Sequence, residues 1–419
     1  MGALLGAVYA QGPLPNSCHG VSPSILSLST TPGWKAVKIA GNYTRPRGVK
    51  VDTKGNLLVV DWGRGVIANT FGSDGCIASS KVLIDNTDLN HGIEVTPTGK
   101  FLLVSSMTTI WRYDYDPVTL TVSNPKVVVK DMFDGGYPSR TLLIPPATPD
   151  LVAVQLGSAT NIELDTYDMS SGRAMVKVFN LETAPTGGWD WLTQGMQLGY
   201  GLRNDVGLVV DGNNNVWSLE NSADDLVREV DGKKFDVHTN NPTEELNFLG
   251  SPQVTNNKWY GYPYCFTVGD PKAFPYTNFT VGDQFVQAPN ATMNDTTCAL
   301  RSEPPRFNIP AHSAPIDGKF DAEFDYMYVS LHGSWNRSPP TGYKVIRVPF
   351  SKSLQGIYPT AGNESIDGFE DVLWSNNVSE CSSRTCLRPS GISWDRAYSR
   401  IYVASDNDAE GEVYVLYEA

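Results

Sequence analysis

The chain has 419 residues, 32 of them basic and 45 acidic, which gives a formal net charge of −13. That length buries a substantial core in one large domain or a few smaller ones, and the acidic balance argues against nucleic acid and anionic membrane surfaces as partners. With 38 glycines, 28 prolines and 11% aromatic residues, the composition suits an all-β protein rich in hairpins.

The chain opens with MGALLGAVYAQG, small and apolar, with a cleavage-like Ala-Val-Tyr-Ala before Gln11. It lacks a basic n-region, so residues 1–10 are expected to be an atypical signal-peptide remnant, followed by a single domain over 11–419. No apolar run is long enough for a transmembrane helix. The cysteines, Cys18, Cys76, Cys265, Cys298, Cys381 and Cys386, form no CxxC pair. An even, scattered set fits disulfides in an oxidising compartment. Sequence order suggests Cys18–Cys76, Cys265–Cys298 and Cys381–Cys386 out of the fifteen pairings that six cysteines allow. Sequons at Asn42, Asn278, Asn290, Asn294, Asn363 and Asn377 support export, and a further one at Asn336 is expected to be buried and unmodified. The expected product is soluble, secreted and extracellular.

From Arg47 the chain reads RGVKVDTKGNLLVVDWGRGVI: a short strand, a polar turn, an apolar strand, another turn and a third strand, with KVLID as a candidate fourth. The pattern restarts at His91, Arg140, Val206, Pro315 and Pro389. Recurring four-stranded units of this kind predict an all-β, six-bladed propeller with antiparallel blades; a pair of sandwiches is the alternative. The long gap after the fourth copy, which contains Cys265 and Cys298, reads as a loop insertion. The sixth copy runs out after GEVYVLYEA, so the strand Trp34–Ile39 is expected to complete the last blade and leave no open edge.

Residues just before each inner strand share one phase: Arg45 and Arg47, Asn90 and His91, Ser139 and Arg140, Arg203 and Asn204, His312 and Ser313, and Arg388. Cations and imidazoles converging on one mouth predict an anion site. Of the histidines, His91 is the candidate general base, because imidazole titrates near ~6.5. His312 and His332 are rivals expected to shape the pocket, while His19 and His238 fall outside the repeat phase and are read as surface residues. Tyr328 to Phe350 forms a hairpin whose stiff loop holds His332, Trp335, Asn336, Arg337, two prolines and Gly342, with Lys344 beyond it. Cations on such a loop suit a planar, multiply anionic ligand.

The strings HGSWNRSPPTGYKV, GLRNDVGLVVDGNNNVWSLE and CLRPSG resemble signatures of the soluble quinoprotein glucose and L-sorbosone dehydrogenase family, with the fungal pyranose dehydrogenases as the nearest group. The resemblance covers the chain from about Pro46 onward. It implies pyrroloquinoline quinone (PQQ) and Ca²⁺ as cofactors, a monosaccharide substrate, and an external electron acceptor such as a cytochrome or quinone, possibly on a separate redox protein. It implies His91 as the base, Arg203 and Asn204 at the quinone carbonyls, and Lys344 and Arg388 on the cofactor. Arg47, His332 and Arg337 complete the cofactor set. ENSADDL resembles the family's calcium segment, which would place Ser222 and Ala223 as carbonyl ligands with Asp224 beside them, although the segment is shorter than the bacterial version. WYGYPYCF has Tyr262 where the family usually has Trp.

DNDAEGE, Asp406 to Glu412, has acidic spacing but no full EF-hand pattern and reads as an ordinary acidic hairpin. No GxGxxG or Walker loop points to nucleotide cofactors. The expected activity is hydride transfer from a pyranose or aldose hydroxyl to PQQ. The alternatives are a calcium-dependent propeller lactonase, which would need acidic and amide ligands on the axis, and a non-catalytic binding propeller.

Overall fold

The computed structural model describes residues 13–419, so the expected signal remnant lies outside it. Six sheets of four or more strands follow one another along the chain, antiparallel except where Trp189–Asp190 joins the edge of the second in parallel. The first runs through Pro46–Val51, Leu57–Asp61, Gly65–Phe71 and Ile77–Ile84. The innermost strands of the others are Ile93–Val95, Leu142–Leu143, Gly207–Val210, Pro315–Phe320 and Pro389–Trp394. Each inner strand touches the next, and the last touches the first. The sheets are therefore blades around one axis, a six-bladed β-propeller.

Buried apolar residues form a separate cluster between each pair of neighbouring blades. Second strands such as Leu57–Asp61 and Ile401–Ser405 are buried on both faces. This is why LLVVD and IYVAS read as nearly continuous apolar runs rather than alternating ones.

Trp34–Tyr43 pairs antiparallel with Gly411–Glu418 and closes the ring as expected. Lys38 reinforces the seam through Glu412 at 2.7 Å and Glu410 at 3.0 Å. One feature was not foreseen: Leu28–Thr30 adds an outer strand to the fifth blade. The long gap is an insertion within the fourth blade, as expected. Its strands Val216–Glu220 and Glu244–Gly250 remain neighbours. Two small hairpins and the helix Asp295–Arg301 lie outside the sheet. All three expected disulfides form.

Candidate active site

In an antiparallel blade, the loop before the first strand and the loop after the second lie at the same end of the sheet. Both sets open here onto one cup of about 260 Å³, whose wall includes Arg47, Arg203, Asn204, Ser222, Asp224, His312, His332 and Arg388. Glycines bring the rim residues close together. A Cβ on Gly48 would lie 2.0 Å from the His91 carbonyl, one on Gly92 2.2 Å from that of Arg140, and one on Gly391 2.4 Å from that of Arg47. Glycine at these positions therefore lets adjacent inner strands approach backbone to backbone.

The deepest polar cluster centres on Asp406. Its carboxylate accepts from Arg47 at 2.8 Å and from His332 Nε2 at 2.5 Å, with Arg388 Nε at 3.9 Å. Arg388 also donates to His332 Nδ1 at 2.9 Å. A guanidinium can only donate, so His332 carries its proton on Nε2 and gives it to Asp406. Burial lowers the His332 pKa to about 4, helped by Arg388 and Arg47, and the ring is neutral. Burial alone would raise the Asp406 carboxyl, but His332 and Arg47 reverse this and hold it well below the usual range. DNDAEGE is the hairpin turn expected between two strands of the last blade, and its first residue also ties together three of the expected cofactor residues.

Arg203 is buried at 2% exposure. Its guanidinium donates to the carbonyls of Asn161, Asn221 and Ser222, to Asn161 Oδ1 at 2.8 Å, to Asp224 at 3.2 Å and to the Tyr137 hydroxyl. Oxygen donors of the hard type thus surround one cationic group. Among the described residues, no group of three or more His, Cys, Asp or Glu has metal-binding geometry. Ala223 packs in a small apolar cluster with Tyr262 and Phe266. Asn204 lies on the cup wall with its amide oxygen buried and unpartnered among the described residues.

His312 Nε2 faces the His238 carbonyl at 2.6 Å, and its Nδ1 faces Asp224 at 3.3 Å. Both partners accept, which favours the doubly protonated ring. Burial opposes that charge, but the bonds to Asp224 and His238 outweigh it and the pKa rises. Glu244, also on the wall, accepts from the backbone of Ser222 and Ala314, and burial raises its pKa to about 7.

His91 lines a small neck of the central channel rather than the cup wall. It is buried, and its Nδ1 has no hydrogen-bond partner among the described residues. Burial, with Arg47 and Lys319 nearby, pushes its pKa well below the usual 6.5 and keeps it neutral. A neutral, uncommitted imidazole is able to accept a proton.

Two expected cofactor residues are not brought to the cup. Arg337 donates to the Thr239 carbonyl at 3.0 Å and to Asn240 at 2.9 Å. Lys344 pairs with Asp371 at 2.7 Å and lies over Phe369. Of the other rim residues, Arg140 is spent on the carbonyls of Phe133, Tyr137, Ser139 and Met107. Trp335, 77% exposed, stands at the cup entrance, and the Asn336 amide nitrogen is buried. The sequence reading missed Tyr137, Asn161, Glu244 and the role of Asp406. Tyr137 and Asp406 each lie near a recognised rim position, and that placement was the available signal.

The family model described as TrAA12-like matches residues 28–419. The pyrroloquinoline quinone-dependent pyranose dehydrogenase of Coprinopsis cinerea is 40% identical over 407 residues, covering 96% of this chain and 56% of that protein. The chain therefore spans little more than half the length of the first curated relatives it matches. The pyrroloquinoline quinone-dependent sugar dehydrogenase of Hypocrea jecorina is 32% identical over 430 residues, 99% of this chain and 94% of that protein. Among solved structures, the holo PQQ domain of the Coprinopsis cinerea pyranose dehydrogenase superposes with a TM-score of 0.93 at 39% identity, covering 96% of this chain and 99% of that one. The calcium structure of the Trichoderma reesei family AA12 enzyme gives 0.89 at 32% identity, covering 96% and 100%.

Proposed function

Since the chain belongs to the TrAA12-like family, we propose that it is a PQQ-dependent sugar dehydrogenase oxidising a hydroxyl of a pyranose or aldose. The observation that carries this reading is the convergence of Arg47, Arg203 and Arg388 on one cup whose wall also holds Asn204. Arginine forks match carboxylates, and PQQ is a planar tricarboxylate. The cofactor supplies a two-electron acceptor that no side chain offers. Arg203 and Asn204 would hold the quinone oxygens, because buried donors favour charge developing there. Arg47 and Arg388 would serve the carboxylates, positioned from behind by Asp406. His332, with both ring nitrogens committed, offers the cofactor only its ring.

The calcium reading fits the oxygen donors around Arg203: the Asn221 and Ser222 carbonyls and the Asp224 carboxylate already converge on positive charge. A hard cation would take the same class of atoms, and Arg203 would have to release them. Lys344 would join the site by turning from Asp371, and Arg337 by leaving Asn240. Lys344→Ala then weakens PQQ uptake; an unchanged titration would leave Lys344 to Asp371 alone.

His91 takes the proton of the sugar hydroxyl. The electrons then pass to an external acceptor, a cytochrome or quinone on another redox partner. The disulfides and the exposed sequon residues Asn42, Asn278, Asn290 and Asn377 support a secreted product. PQQ and Ca²⁺ are added to the apo-protein, and dye reduction is followed with a panel of sugars. We expect His91→Ala to abolish turnover while PQQ uptake persists. Calcium-dependent lactone hydrolysis without PQQ would overturn the reading in favour of a lactonase.

A further inference from the structure

The neck beside His91 opens toward the mouth opposite the cup. The neck that His91 lines has a volume of about 30 Å³, above the ~10–15 Å³ that one water needs. At its other end it meets a wide cavity of about 410 Å³ at the opposite mouth. Lys50, Glu94, Leu208 and Lys319 line both. His91 is thus linked to the far mouth through a short polar passage.

Two carboxylates border that passage. Asp317 is committed on both oxygens, to Gly318 N and Lys319 on one and to Ile392 N at 2.9 Å on the other. Glu94 is paired through Oε2 with Lys50 at 2.6 Å, and among the described residues no such backbone bonds fix it. Glu94 is also buried on the inner strand of the second blade, three residues beyond His91. The charged and titratable groups facing His91 are Arg47 and His332 with Asp406 from the cup, and Lys319 from the neck. The cup is where the sugar and cofactor would bind, so a proton left on His91 needs a route that they do not obstruct.

We propose that the proton taken up by His91 leaves through the opposite mouth, by way of water in the neck and the Glu94 carboxylate. This rests on His91 being the base. The balance is simple: the sugar hydroxyl loses a proton to His91, the imidazolium passes it to neck water, Glu94 relays it, and bulk water at the far mouth receives it. Glu94 is a positioning and relay residue acting through His91; it does not touch substrate.

Glu94→Gln removes the relay without changing shape, and the Lys50→Gln/Glu94→Gln pair serves where an unpaired Lys50 impairs folding. The expected result is at least a tenfold slower reductive half-reaction, with PQQ uptake unchanged. Added formate and the Glu94→Asp variant should both restore part of the rate, and the solvent isotope effect should grow. In cofactor-free protein labelled with ¹⁵N-histidine, the His91 ring N–H should exchange more slowly with solvent in Glu94→Gln. Wild-type rate and wild-type exchange in Glu94→Gln, with His91→Ala inactive, would overturn this route alone. Near-normal turnover by His91→Ala would instead remove the base and this proposal with it.

Discussion

At Asp406, two arginines and a neutral histidine drawn from three blades meet one carboxylate. Arg47 lies 359 residues away in sequence and His332 lies 74 away. Removing one partner of a buried charge cluster leaves the others uncompensated, at a cost on the order of 3–5 kcal/mol. Asp406→Asn is therefore expected to lower unfolding stability by about that amount and to weaken PQQ uptake. Denaturant melts and a cofactor titration check both, and an unchanged melt would mean that Arg47 and Arg388 are balanced elsewhere. The sequence showed each cation through its phase in the repeat, but not the acid that joins them. Asp406 follows the second strand of its blade, whereas the repeat phase marks the residues that precede inner strands. Lys344 shows the converse: its motif is legible, yet Asp371, on the neighbouring strand, holds its ammonium away from the cup.

On the strand Glu244–Gly250, two consecutive glutamates are both buried. Burial raises each to about 7, and the Glu245 charge adds to the burial that pushes nearby Glu220 and Asp205 well above their ordinary values. Between the unfolded value near ~4.3 and about 7, the folded protein holds protons that the unfolded chain has lost. The sign follows: this contribution is complete below the unfolded pKa and is lost as pH rises through the folded one. The cofactor-free protein should thus lose stability from about pH 4.5 to about pH 7, and Glu245→Gln should flatten that slope. Melting temperatures across that range test it; a slope rising with pH and insensitive to the substitution would contradict it. Strands of the repeated units were legible because the apolar period repeats, but Glu244–Gly250 lies in the stretch read as a loop insertion and was not among them. Burial of both glutamates was not legible either, since a strand ordinarily sends consecutive side chains to opposite faces and one of them toward solvent.

Over the whole molecule, closure of the ring is what turns scattered loop residues into a cup. The Trp34–Tyr43 strand makes that closure, and the disulfide Cys18–Cys76 ties the segment before it to the first blade across a separation of 58 residues. Chain-entropy reasoning gives a loop of that length about 4 kcal/mol. Cys18→Ser/Cys76→Ser should lose up to about that much stability, whereas the short Cys381–Cys386 loop should matter less. Equal losses from the two pairs would show that closure does not depend on the first. The architecture was legible because six copies share one pattern. Which arginines reach the axis depends on loop paths and partner charges, and only the folded ring supplies those. The most direct measurement is a crystal structure of the protein soaked with PQQ and Ca²⁺. The account predicts the planar triacid in the cup, within hydrogen-bond distance of Arg203 and Asn204, with its carboxylates toward Arg47 and Arg388. An empty cup at saturating cofactor, or density bound on another face, would contradict it.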